Sequence, residues 1–251
     1  MLGIGQFTEQ MENVFEVCSD LRELLFRNFR ESRFVRCEPA ITAPVVERLS
    51  FSLSPGCLYN SLAIVFSSMI CPSLTSLHME GMDKYANPWP KDELNMFISS
   101  SSFRLTTLSI KFIPLLDTDL IDLLHRLPSL LDLTIDDSRV SDTSPITLCL
   151  LQRLHASRSS ALVTKLQSIS LTFSGSDFSD RDFVDMISSR WNPKAFTGGG
   201  DCSSNRDGET LACLRSVVMR FTNRDVDEEI YGPLKNLEAV GMRAVVSGQN
   251  S

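Results

Sequence analysis

One short phrase recurs along this chain of 251 residues and restricts its fold more than any other feature: an apolar residue, two variable ones, an apolar one, one variable, another apolar. It reads Leu21-Arg-Glu-Leu24-Leu-Phe26, Val46-Glu-Arg-Leu49-Ser-Phe51, Leu74-Thr-Ser-Leu77-His-Met79 and Leu105-Thr-Thr-Leu108-Ser-Ile110. It continues as Leu130-Leu-Asp-Leu133-Thr-Ile135, Leu166-Gln-Ser-Ile169-Ser-Leu171 and Leu214-Arg-Ser-Val217-Val-Met219, with a degenerate eighth at Leu234-Lys-Asn-Leu237-Glu-Ala239-Val240. Successive starts lie 25, 28, 31, 25, 36, 48 and 20 residues apart.

The last three residues of the phrase alternate in, out, in along a short strand, and its first residue anchors the chain as it turns in from the preceding segment. Such a unit buries only one face and cannot cover it alone. Stacking the next unit alongside, strands parallel, builds a continuous core. The intervals fit a helical return path. From Asp117, Leu120, Ile121, Leu124 and Leu127 fall on one helical face, with acids in the first turn where the helix dipole favours them. Similar runs span Asp92 to Ser99, Pro145 to Ala156 and Asp180 to Ser189, and the apolar stretch from Leu58 to Ile70 reads as a buried helix. At Pro72-Ser73-Leu74 and Pro128-Ser129-Leu130 a proline stops the return path just before a phrase begins.

These elements predict an α/β protein, an open solenoid with a parallel inner sheet and outer helices, in one domain over residues 1–251. Residues 1–20 are expected to form an N-terminal cap helix that packs through Phe7, Met11, Val14, Phe15 and Cys18. The polar, Gly-rich segment 191–210 reads as a flexible insertion, and 245–251 as a frayed tail.

Composition narrows the function. A net charge of -7 opposes neutralisation of nucleic-acid phosphates or coating of an anionic membrane, so neither partner is expected. No run approaches the roughly 18 uninterrupted apolar residues of a membrane span, and the N-terminus lacks the basic and apolar regions of a signal peptide. Seven scattered cysteines with no C-x-x-C pair suit reduced thiols and an intracellular location, cytoplasmic or nuclear.

With phrase, spacing and Pro-Ser-Leu exits in view, a resemblance can be named. The chain from about residue 15 to 242 resembles the irregular leucine-rich-repeat arms of F-box proteins abundant in mushroom-forming fungi, most plainly at Leu130-Leu-Asp-Leu-Thr-Ile-Asp-Asp. The resemblance implies protein recognition by the repeats, with an F-box module gripping the Skp-type adaptor of a cullin-RING ubiquitin ligase and the repeats presenting the substrate. No Leu-Pro-x-Glu opening or other F-box signature is read in this chain, so no residue is assigned to the adaptor. The alternatives are a free-standing binding or scaffold protein and a fragment of a longer one.

Within each strand the variable positions face away from the core, on the side where repeat proteins take partners. The candidates are Arg48, Ser50, Ser76, His78, Thr107, Ser109, Lys111, Asp132, Thr134, Asp136, Ser168, Ser170, Thr172, Ser216, Val218 and Arg220. No catalytic residue, cofactor or metal site is expected. His78, His125 and His155 stand far apart without ligand spacing. Gly198-Gly199-Gly200 lacks the Lys-Ser or Lys-Thr of a phosphate loop, and no serine sits in a G-x-S-x-G elbow.

Overall fold

The computed structural model describes residues 13–27, 40–55, 61–140, 143–156, 161–174, 178–191 and 212–248. The chain is an α/β protein that divides into two compact units, Met1–Pro114 and Leu115–Ser251.

In the first unit, strands β1 (Glu23–Arg27), β3 (Arg48–Leu53), β5 (Ser76–Gly81) and β6 (Thr107–Lys111) pair in that order, all parallel. The register follows the phrase residue for residue: Leu24, Leu49, Leu77 and Leu108 form one inward row, and Phe26, Phe51, Met79 and Ile110 the next. From β3 to β6 every member of both rows is at most 3% exposed. Each such side chain contributes about 1.5 to 3 kcal/mol by leaving water. Strands β3, β5 and β6 start alike, with two consecutive N–H groups sharing one carbonyl of the preceding lead-in: those of Thr75 and Ser76 donate to Glu47 O at 2.9 and 3.1 Å, those of Thr106 and Thr107 to Thr75 O at 2.8 and 3.0 Å.

Helices α1 (Ser61–Ser68) and α2 (Lys91–Ser101) form the return paths, joined by the short parallel pair β2 (Ile41–Thr42) and β4 (Met69–Ile70). Aromatic rings tie strands to helices: Phe26 stacks on Phe51 at 5.3 Å, Phe51 meets Phe66 edge-on at 5.6 Å, and Phe66 stacks on Phe97 at 5.1 Å. The backbone closes tightly behind β5, where a Cβ on Gly81 would lie 2.3 Å from the carbonyl oxygen of Phe112, itself left-handed at φ 55°. Only glycine fits there.

In the second unit, β7 (Asp132–Asp136), β8 (Ser168–Phe173), β9 (Ser216–Phe221) and β10 (Arg243–Gly248) are parallel in that order, with α3 (Asp117–His125), α4 (Leu148–Leu154), α5 (Asp180–Arg190) and α6 (Glu228–Ala239) between and before them. Leu133, Ile169 and Val217 share an inward row, as do Ile135, Leu171 and Met219. Side-chain caps start three helices: Thr147 accepts from Leu150 N–H, Ser179 from Asp182 N–H, and Asp227 from Glu229 and Ile230 N–H.

Among the described residues Arg190 is the largest fully buried side chain, 1% exposed. Its guanidinium donates to the carbonyls of Leu154, Leu162 and Val163, and burial pulls its pKa down to about 10, which leaves it charged at neutral pH.

Two expectations are corrected. The degenerate eighth phrase is not a strand: Leu234 and Leu237 lie inside α6, because Ile230, Leu234 and Leu237 repeat at helical spacing behind the Asp227 cap. The strand arrives later, at Arg243–Gly248, so residues 245–248 are paired with β9 and not frayed. Of the expected cap helix over 1–20, residues 13–17 are helical, with Phe15 half-buried and Val14, Val17 and Cys18 exposed, and residues 1–12 lie outside the described residues. Phe7, Met11 and all of the expected insertion after Trp191 lie outside the described residues.

Candidate functional site

Strand pairing lines the variable positions up into rows on one face of each unit. In the first unit Glu23, Arg48, Ser76 and Thr107 form one row, Leu25, Ser50, His78 and Ser109 the second, and Arg27, Ser52, Glu80 and Lys111 the third. Ser76 and Ser109 are only 8% and 7% exposed, so these two expected contact residues are buried. Both are short side chains set among longer neighbours.

The second and third rows border a groove of about 490 Å³, lined by Leu25, Arg27, Ser52, His78, Glu80, Met82 and Lys111 among others. Leu25 and Met82 are 52% and 45% exposed, which gives the groove apolar rims. Arg48 pairs with Glu23, whereas Arg27, Glu80 and Lys111 form no ion pair among the described residues. Burial and then the positive charges of Lys111 and Arg48 hold the His78 pKa below the ordinary histidine value, so the imidazole is neutral at neutral pH.

Ser76 Oγ lies 2.7 Å from His78 Nε2. A hydroxyl against a neutral imidazole is half of a nucleophilic pair. Here Ser76 is buried outside the groove lining, and no group among the described residues holds the other ring nitrogen. The contact orients His78 toward the groove and supplies no accessible nucleophile.

In the second unit the rows are Asp132, Ser168, Ser216 and Arg243, then Thr134, Ser170, Val218 and Val245, then Asp136, Thr172, Arg220 and Ser247. This face carries a hydroxyl strip with acids on β7 and cations on β9 and β10. Asp136 is engaged locally, accepting from Ser138 N–H at 3.1 Å and Ser138 Oγ–H at 2.6 Å. Hollows of this unit include one of about 420 Å³ against α5 and α6 and one of about 630 Å³ between α6 and β10.

The structure therefore gathers the predicted residues into two sets. The sequence reading missed Leu25, Arg27, Ser52, Glu80 and Met82. Ser52 and Glu80 continue the alternation by one step, because β3 and β5 run past the third apolar residue of the phrase. Among the described residues no group of three or more His, Cys, Asp or Glu could hold a metal ion, and no helix is long and apolar enough to cross a membrane. Burial raises the Cys71 thiol to about 12, which removes it from thiolate chemistry at neutral pH.

No family model matches the chain, and neither a curated protein nor a solved structure matches it.

Proposed function

We propose that this chain is an irregular leucine-rich-repeat solenoid that recognises another protein, non-covalently, through the polar face of its parallel strands. One observation carries the reading: seven copies of the phrase each become a strand, and within each unit the variable residues stand in cross-strand register on one mostly polar face. A flat row of short polar side chains with interspersed charges suits a protein surface better than a small substrate, which requires an enclosing pocket.

The sharper version is substrate recognition within a cullin-RING ubiquitin ligase of the F-box type, and it rests on the resemblance of the repeats. The test is affinity purification of the tagged chain from its native lysate, followed by mass spectrometry, for the wild type and a Thr134→Arg, Ser170→Arg variant. Co-purification of a Skp-type adaptor and cullin supports the ligase role. Other proteins recovered without that machinery, and lost in the variant, favour a free-standing binding protein. If the variant retains everything the wild type retains, the strand face is not the binding surface and the reading fails.

A further inference from the structure

The groove of the first unit has a chemistry of its own, and the inference drawn from it rests on the protein-binding reading above. Its third row runs Arg27, Ser52, Glu80, Lys111 across four neighbouring strands. Neighbouring strands lie about 4.8 Å apart, so the two cations stand roughly 14 Å apart at the backbone, with one carboxylate between them. An extended peptide advances about 3.3 Å per residue, so acids four positions apart span the same distance. Neither cation forms an ion pair among the described residues, although Glu80 is the cross-strand neighbour of Lys111. Exposed apolar side chains, Leu25 and Met82, flank the same groove.

We infer that this groove binds an extended segment of a partner protein that carries two acidic residues four positions apart, with a large apolar residue between them. Its carboxylates meet Arg27 and Lys111, its apolar side chain lies against Leu25 or Met82, and Glu80 excludes a third acid from the middle. The choice of an acidic over a basic segment follows from charge complementarity: two cations oppose one carboxylate in the lining, and Arg48, though paired with Glu23, adds its field at His78. The chain's net charge of -7 opposes an acidic ligand only at a distance. Beyond about 10 Å in 0.1 M salt that repulsion is screened, so the local cations decide contact.

The probe is a short fluorescein-labelled peptide with two glutamates four positions apart and a leucine between them, compared by fluorescence anisotropy with the same peptide bearing lysines. Titrated into the full chain, the glutamate peptide is expected to bind at least about tenfold more tightly than the lysine peptide, a difference of about 1.4 kcal/mol. The Arg27→Glu, Lys111→Glu variant is expected to invert that preference, while its melting temperature stays near that of the wild type. Should the double reversal fail to fold, Lys111→Gln keeps the test open, with an expected loss of about threefold for the glutamate peptide. Equal affinity for the two peptides, or an unchanged preference in the variants, overturns the inference. If the peptides fail but proteins captured from lysate are lost on Thr134→Arg, Ser170→Arg substitution, the groove assignment falls alone. If capture is indifferent to substitutions in both units, the protein-binding reading falls with it.

Discussion

In the second unit a complete guanidinium is sealed from water, with Arg190 donating to the carbonyls of Leu154, Leu162 and Val163. In the first, Arg27 and Lys111 line an open groove without an ion-pair partner among the described residues. The contrast lies in what each cation meets. Arg27 ends β1 and Lys111 ends β6, both in the row that borders the groove. The 36-residue interval after Leu130 includes Asp137, Ser144, Leu154, Leu162 and Val163, and its carbonyls need a donor from another element. Arg190, at the end of α5, supplies it. A cation that reaches the carbonyls of a return path is held as a structural clamp, whereas one that ends a strand on the open face stands toward the groove.

The strongest way to break the comparison is to abolish the core of one unit. Leu133 is 1% exposed, and Leu133→Asp places an unpaired carboxylate in the inward row of β7. That change should cost well over about 4 kcal/mol and abolish the cooperative thermal transition followed by circular dichroism. Next in size is Arg190→Leu, which keeps apolar bulk but orphans three carbonyls. At roughly 1 to 3 kcal/mol for each buried unsatisfied group, partly relieved by water, a loss of about 3 to 5 kcal/mol is expected in urea unfolding. A loss under about 1 kcal/mol would show that the clamp is dispensable.

The parts of this fold legible in the sequence are those with a local signal. The spacing of Leu105, Leu108 and Ile110 marks a strand because inward residues must alternate, and Asp117 with Leu120, Ile121 and Leu124 marks a helix through its dipole and face. The clamp was illegible because its partners are carbonyls 27 to 36 residues away, and a backbone acceptor has no sequence signature. Strand β10 was hidden for another reason. It has no buried residue among Arg243–Gly248, so no apolar alternation announces it, and the preceding Leu234-to-Val240 stretch imitates the phrase while obeying helical spacing. At the candidate site the phrase located the rows but stopped short of Ser52 and Glu80.

A finer test uses Asp137, 5% exposed and hydrogen-bonded by Ser144. Burial first, and the neighbouring Asp136 charge after it, raise its pKa from 3.8 to about 6, although the Ser144 hydrogen bond opposes the rise. The folded state therefore holds this proton more tightly than the unfolded chain does. The associated stability is fully present below about pH 4 and is lost as pH rises through about 6, at most about 3 kcal/mol. Asp137→Asn should leave stability near pH 4 little changed, raise it at pH 7, and flatten the curve between. An unaltered pH slope in chemical denaturation would remove Asp137 as its source.

The smallest effect is expected at the adjacent carboxylate, where two terms oppose each other. Asp136→Ala removes two hydrogen bonds to Ser138 at a half-exposed strand end, a loss of order 1 kcal/mol. It also removes the negative charge that helps to raise the pKa of Asp137, which returns part of that loss at neutral pH. The net change at pH 7 should stay within about 1 kcal/mol, a few degrees in melting temperature at this chain length. Once Asp137 is Asn the relief is gone, so Asp136→Ala should cost more in that background than in the wild type. A double-mutant cycle at pH 7 reads the difference directly; strict additivity would mean that the two acids do not couple and that burial alone sets the Asp137 proton.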